Sequence, residues 1–395
     1  MKKFLLYIGF LFLIAFEILR VYLIMPMPGS QEFDSINLAY FLGSNRFYIR
    51  FILCAVIAYP FVAEFRQGKK IKKSLLIFMA LFYAVVFYVF TFEMEADKMF
   101  YQPGHKFFEG IATNKIASDK LIIGIESQGI TKAYPIQLIG YHHQVADTIG
   151  STPIMVTYCT VCRTGRVFHP EVNGKVEKFR LVGMDHYNAM FEDATTKSWW
   201  AQATGECIAG PLKGYRLKEF PSEQVRLDAW LGKHPNSMIL QPDEKFKDQF
   251  DQMQSYDKGL SKGRLTKRDS ASWKFKSWVV GVVHKNKAKT YDWNMLLSDR
   301  IITDSIDGDP LIVVLEKDSA SFHVFNRKYM DETLNFNLDA DTMIDINSAS
   351  KWNMQGECFD GKYKGAKLSK LSAYQEFLHS WEYFHPTALR YLKNN

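Results

Sequence analysis

Cysteine is scarce, and what is missing around it narrows the chemistry. The chain has 395 residues and five cysteines. Cys159 and Cys162 form a Cys-x-x-Cys pair with no second such pair elsewhere, so any metal site built on them must borrow ligands from other segments. No histidine follows Cys162, which excludes the motif for covalent c-type haem attachment. No good small-residue cleavage site follows the first apolar run; "MPMPGSQEF" (25–33) is a poor one, so that run is not read as a removable signal peptide. Nor is there a basic patch interleaved with stacking aromatics in a recognisable module. Despite a net charge of +7, no nucleic-acid partner is expected.

What is present begins with three apolar runs. Phe4–Met25 is interrupted by Glu17 and Arg20, one helical turn apart and able to pair. Phe51–Ala63 is shorter and extends back through Phe47 and Tyr48. Ser74–Phe92 carries no charge. A spanning helix needs ~20 mostly apolar residues, and the runs are read as three transmembrane spans, which makes the lipid bilayer the first partner. Lys2 and Lys3 precede the first span, and "EFRQGKKIKK" (64–73) separates the second from the third. Positive-inside reasoning places both basic segments in the cytoplasm, against which Arg46 and Arg50 would lie on the outer side. The expected location is then the cell membrane, multi-pass, with the large C-terminal domain extracytoplasmic. In such a compartment thiols tend to be oxidised unless metal-bound or kept reduced by a partner. Cys54, inside the second span, reads as a small buried hydrophobe.

The exported part repeats itself. An offset of 157 residues takes Gly124 onto Gly281, Lys132 onto Lys289, Tyr134 onto Tyr291, Asp147 onto Asp304 and Pro153 onto Pro310. An offset of 151 takes "GEC" at 205–207 onto "GEC" at 356–358, Trp230 onto Trp381 and His234-Pro235 onto His385-Pro386. Five segments follow: a membrane region 1–92, a connecting segment 93–119, a first repeat 120–245, a polar linker 246–277 and a second repeat 278–395. Short β-branched runs ("LIIGIES", "PIMVTYC", "WVVGVVH", "PLIVVLE") punctuated by Gly, Pro and Asp predict strands and hairpins, with helices around Ile136–Val145 and Ser222–Lys233. The fold class is α+β and β-rich: a tandem-duplicated, pseudo-symmetric domain preceded by N-terminal transmembrane helices.

The duplication supplies an internal control. Residues shared by the copies read as scaffold, and residues in one copy are candidates for chemistry. Cys159 faces Glu316, Cys162 faces Ser319 and His143 faces Arg300, so the Cys-His set belongs to the first copy alone. The pair sits at the turn in "PIMVTYCTVCRTGRVF" (153–168). A strand–Cys-x-x-Cys–strand turn resembles a knuckle that holds a metal through two thiolates. A thioredoxin-type pair would open a helix, which "RTGRVFHP" does not favour. Three readings stay open: a transition-metal site, a redox-active pair, and inert cysteines that fix a turn. For the metal, Cys159 and Cys162 are ligands, His143 a third and Met190 a further donor. With the thioether, thiolate and imidazole would suit copper; without it they would suit zinc. His142, Met190 and Cys207 also have structural readings; Cys207 recurs as Cys358. Trp199, Trp200 and Trp352 read as core or groove residues. Asp185 and His186 could do acid–base work.

The stretches "YHHQVADTIGSTPIMVTYCTVCRTGRVF" (141–168) and "LVGMDHYNAMFEDATTKSWWAQATGECIAGPLKG" (181–214) resemble the DUF3179 family of uncharacterised bacterial proteins, over about 120–390. Members carry "TYCPLCGTA" where this chain has "TYCTVCRTG", so Thr160 and Arg163 replace a Pro and a Gly. Members have Ala in place of Cys207. The resemblance implies a fold and a location, and no reaction. A protein partner is left open, as is whether the protein is an enzyme; the enzyme reading is a thiol–disulfide oxidoreductase with Cys159 and Cys162 as its catalytic pair.

Overall fold

The apolar runs become helices. The computed structural model describes residues 2–393, so Met1 and residues 394–395, the outermost ends of the first and last segments, lie outside it. Three helices are long and apolar enough to cross a membrane: Lys3–Tyr22, Arg46–Gln67 and Lys70–Glu93. They are compatible with membrane anchoring. Contacts within the chain group residues 1–101 with 177–217 as one unit and 102–176 with 218–395 as a second.

In the first unit the charges inside the apolar helices find one another. Arg50 grips the fully buried Glu17 through Nε and Nη2 at 2.6 and 2.7 Å. Arg20 lies 3.6 Å from Glu17, as their spacing allows, and 2.5 Å from Glu95, which Arg46 also reaches at 3.1 Å. A bidentate pair of this kind lets a charge be buried that would otherwise be expelled from an apolar setting. Arg46 and Arg50, the basic residues at odds with the positive-inside reading, both have carboxylate partners here. Cys54 departs from expectation: it is exposed on its helix, because the apolar surface of Arg46–Gln67 faces mostly outward. The same unit holds an antiparallel meander, Phe179–Asp185, Asn188–Asp193, Trp199–Ala201 and Cys207–Ala209, with Trp199 and Trp200 buried.

The second unit is built from strands, as the β-branched runs demand. The hairpin Leu121–Ser127 with Ile130–Pro135 is flanked by antiparallel Glu223–Arg226 and by parallel Met238–Leu240, which in turn pairs with Phe108–Glu109. A second hairpin, Trp278–His284 with Lys287–Asp292, is flanked by antiparallel Ala373–Phe377 and parallel Leu389–Arg390. Two antiparallel three-stranded sheets accompany them: Gln144–Ile149, Thr152–Cys159 and Thr164–Phe168, and Ile301–Ile306, Asp309–Leu315 and Phe322–Asn326. The fold is thus mixed α+β and β-rich, with apolar N-terminal helices.

Several residues singled out by the sequence meet in space. A Cβ on Gly124 would sit 2.6 Å from the Trp230 ring, and one on Gly281 would sit 2.1 Å from Trp381, so each glycine is the floor on which an indole lies. Tyr134 and Lys132 both hold Asp147, at 2.7 and 2.8 Å; Tyr291 and Lys289 hold Asp304, at 2.9 and 2.6 Å. His143 and Arg300, both at φ 59, end the helices Ile136–His142 and Trp293–Asp299. The left-handed turn at His143 stops the first helix short of the expected Val145 and starts the strand Gln144–Ile149. The helix expected from Ser222 begins only at Leu227, because the backbone of Glu223–Arg226 pairs with Leu121–Gly124.

Candidate functional site

The cysteines lie at a tight hairpin turn. Cys159 pairs with Thr164 and Tyr158 with Gly165, leaving Thr160, Val161, Cys162 and Arg163 as the turn. Arg163 takes φ 58, a left-handed conformation unusual for a side chain with a Cβ. The turn is buried rather than displayed: both cysteines are fully inaccessible, and both are thiols.

A distant segment closes over it. Phe377 N donates to Cys162 O at 2.8 Å, Arg163 Nε donates to Gln375 Oε1 at 2.9 Å, and Arg166 Nη2 donates to Glu376 Oε1 at 2.6 Å. The Cys162 thiol is hydrogen-bonded with Cys159 and with Ser380. Lys276 Nζ donates to Val161 O at 2.6 Å and to Leu265 O at 2.8 Å, and His379 Nε2 sits 3.3 Å from Val161 O. The His379 ring stacks on Phe275 at 4.3 Å. The site is thus a thiol pair ringed by Ser380, Lys276 and His379.

Burial dominates its electrostatics. Loss of water pushes the Cys162 thiol well above its ordinary pKa, with Cys159 adding to the rise and Ser380 and Lys276 opposing it. Burial lowers Lys276 to about 8, against the pull of the two sulfurs. Burial, with Lys276 beside it, lowers His379 to about 3, although its bond to Val161 O favours the proton. At neutral pH the centre therefore holds a protonated Cys162, a neutral His379 and a lysine close to its titration point.

The remaining candidates lie elsewhere. His143 is buried; its Nδ1 is 3.0 Å from Tyr141 O, and its carbonyl accepts Tyr158 N at 3.0 Å. Burial first, and His142 after it, lower its pKa to about 4. His142 packs among Phe246 and Phe250. Met190 is a buried residue of the strand Asn188–Asp193, which belongs to the first unit, whereas the thiol pair belongs to the second. Cys207 and Cys358 point their sulfurs at carbonyls of their own strands, Ala209 O at 3.4 Å and Asp360 O at 3.3 Å. His186 lies 3.1 Å from Asp185 and 3.4 Å from Asp34. Among the described residues no three His, Cys, Asp or Glu side chains are placed to hold one ion.

Sequence reasoning missed Ser380, Lys276 and His379. Lys276 lies in the stretch read as a linker, yet that stretch also buries Phe246, Phe250 and Tyr256, and the Tyr256 hydroxyl donates to Thr160 O at 2.8 Å. Its aromatic residues were the available signal.

No curated protein matches the chain. The family described as "Protein of unknown function (DUF3179)" matches residues 106–388, a span that takes in the thiol turn and the segment closing over it, so the chain belongs to the DUF3179 family.

Proposed function

We propose that the protein is a membrane-anchored, extracytoplasmic protein whose Cys159–Cys162 pair works as a reversible dithiol–disulfide couple. The carrying observation is the hydrogen bond between the Cys162 thiol and Cys159 across one turn, with the Lys276 ammonium within electrostatic reach of both sulfurs. In the exchange, a thiolate of the pair attacks the disulfide of a small oxidant, and the second sulfur displaces the mixed disulfide. Two protein thiols become one disulfide, and the oxidant's disulfide becomes two thiols, so electrons and protons balance. Lys276 stabilises the attacking thiolate, and the burial of both sulfurs favours small partners over a docked protein. The duplication belongs to the same reading. It is supported by the matched Gly–Trp floors, the matched Tyr–Lys–Asp triads and the matched helix ends at His143 and Arg300. In this reading the second copy is scaffold, and its last strand and helix close the thiol site of the first.

Equilibrating the full-length protein in detergent with dithiothreitol buffers of graded potential, then trapping and mass-mapping the thiols, should give a Cys159–Cys162 disulfide with a midpoint above about −300 mV. Failure to form that disulfide at any poise would sink the redox reading. Stoichiometric zinc or copper retained after desalting, and lost in both Cys159→Ser and Cys162→Ser, would replace it with a metal site on Cys159 and Cys162. Loss of metal in His143→Ala would then identify the third ligand, and in Met190→Ala a further donor.

The basic loop between the second and third helices, with Lys69, Lys70, Lys72 and Lys73, supports a cytoplasmic position for that loop. Cells expressing Lys70→Cys or Leu260→Cys should label position 260 with an impermeant maleimide and leave position 70 unlabelled until lysis. The reverse pattern would overturn the compartment assignment.

A further inference from the structure

One cavity of the second unit combines charge, burial and donors that lack acceptors. Its volume is about 340 Å³, within the range of roughly 300–1,000 Å³ common for small-molecule sites. Arg163, Arg268 and Trp278 form part of its wall, and the two guanidinium carbons lie 3.7 and 4.1 Å from a Trp278 ring centroid. Arginines over an aromatic ring are individually favourable, but two like charges on one indole repel each other. Burial first and the nearby Arg163 after it press the Arg268 pKa down, with the buried carboxylate of Asp292 opposing them.

The cavity's carboxylates do not neutralise these two cations. Asp119 pairs with Lys258 at 2.7 Å. Asp318 lies 3.8 Å from Arg226 and accepts the backbone N–H groups of Ala320 and Ser321 at 2.8 Å each. Asp257 accepts Leu121 N and Lys258 N and lies 3.9 Å from Lys120. Among the described residues, Arg163 and Arg268 have no carboxylate within salt-bridge distance. Arg163 binds only neutral acceptors: Gln375 Oε1 and the carbonyls of Tyr256 and Asp257. Arg268 Nη2 donates to Asn294 Oδ1, while its Nε and the Trp278 indole N–H are buried without an acceptor. A buried charge without a carboxylate in direct contact is costly. Arg163 moreover sits in a left-handed backbone conformation that a side chain with a Cβ adopts at a further cost. The wall carries four cations against three carboxylates and two donors without acceptors, and Trp293, Leu121 and Leu297 complete it with apolar surface.

We propose that this cavity binds a small organic oxyanion, a carboxylate or a phosphate, with its charge between Arg163 and Arg268 and its apolar body against Trp278 and Trp293. The assignment goes beyond the thiol couple and does not depend on it. The test uses the full-length protein in detergent. Potassium benzoate and potassium phosphate are titrated separately against potassium chloride at matched ionic strength, with thermal midpoint and tryptophan fluorescence as readouts. At least one oxyanion should give a saturable response that chloride does not. Saturation by benzoate alone assigns a carboxylate with an apolar body, and saturation by phosphate alone assigns a phosphate. Arg268→Gln, at a half-buried position, should weaken the response at least tenfold, and Lys258→Gln, a cation already paired with Asp119, by less than threefold. If neither oxyanion acts beyond chloride on the unmodified protein, or if Arg268→Gln retains its affinity, the proposal is wrong.

Discussion

Alanine in place of Trp381 is expected to lower the unfolding free energy by roughly 3–5 kcal/mol, and alanine in place of Trp230 by a similar amount. Both indoles are almost wholly buried, each lies on a glycine, and each packs at a tilt against the histidine four residues later, with ring centroids 4.1 Å apart. Neither glycine can grow a side chain to fill the void left behind, because the indole itself occupies the space a Cβ would take. Gly281→Ala, which would place a Cβ 2.1 Å from the Trp381 ring, is expected to destabilise for the same reason. The two sites part company under substitution by phenylalanine. Trp230 Nε1 donates to Ser237 Oγ at 2.8 Å, whereas Trp381 Nε1 is buried with no acceptor among the described residues. Trp381→Phe should therefore be the milder change, since it removes an unsatisfied donor, while Trp230→Phe strands a serine. Denaturant melts of the full-length protein in detergent provide the check, and a wild-type melt for either alanine variant would show that these tryptophans are not core positions.

Acidification should act almost as strongly. His143 and His379 are buried as neutral rings with pKa values held to about 4 and about 3, against about 6.5 in an unfolded chain. Between pH 6.5 and pH 4 the unfolded chain binds protons that the folded protein refuses. The stabilisation is complete above pH 6.5 and is lost as the pH falls. At pH 5 each histidine should have cost about 2 kcal/mol, and the two together about 4. Glu376 works the other way, because burial raises its carboxyl pKa against the pull of Arg166, so the folded state gains from its protonation as the pH drops. The informative measurement is therefore a difference. Between pH 7.5 and pH 5, His379→Gln should lose about 2 kcal/mol less than the unmodified protein. Equal losses would mean that His379 is not held neutral in the fold.

The sequence makes local features plain and conceals long-range ones. Three apolar runs announce three helices, and β-branched runs broken by Gly, Pro and Asp announce hairpins, because both signals depend on neighbours a few residues apart. The turn at Cys159–Cys162 is legible for the same reason. What surrounds it is not: Gln375 is 212 positions from the Arg163 it binds, and Glu376 is 210 from Arg166. Ser380 and His379 lie in a segment whose only sequence signal is its likeness to 222–235, and a likeness of that kind reads as scaffold rather than chemistry. Lys276, Arg268 and Tyr256 were hidden by their setting, a polar lysine-rich stretch that reads as solvated chain. Glu223–Arg226 reads as the start of a helix, and only its pairing with Leu121–Gly124 makes it a strand. Cys54 is exposed and not buried because the apolar helix that carries it turns most of its surface outward.

The clasp between Glu17 and Arg50 bears on how the chain is made. Glu17 and Arg50 are 33 positions apart, on the first and second of the three apolar helices, so both are made before the rest of the chain and can meet early. A leader peptide swapped in for the first helix would remove the acceptor of two of the three Arg50 bonds and leave only Thr91 Oγ1, at 3.0 Å, to meet that charge. The first helix then holds the counter-charge of the second, and an expression strategy that discards it takes that carboxylate away from Arg50.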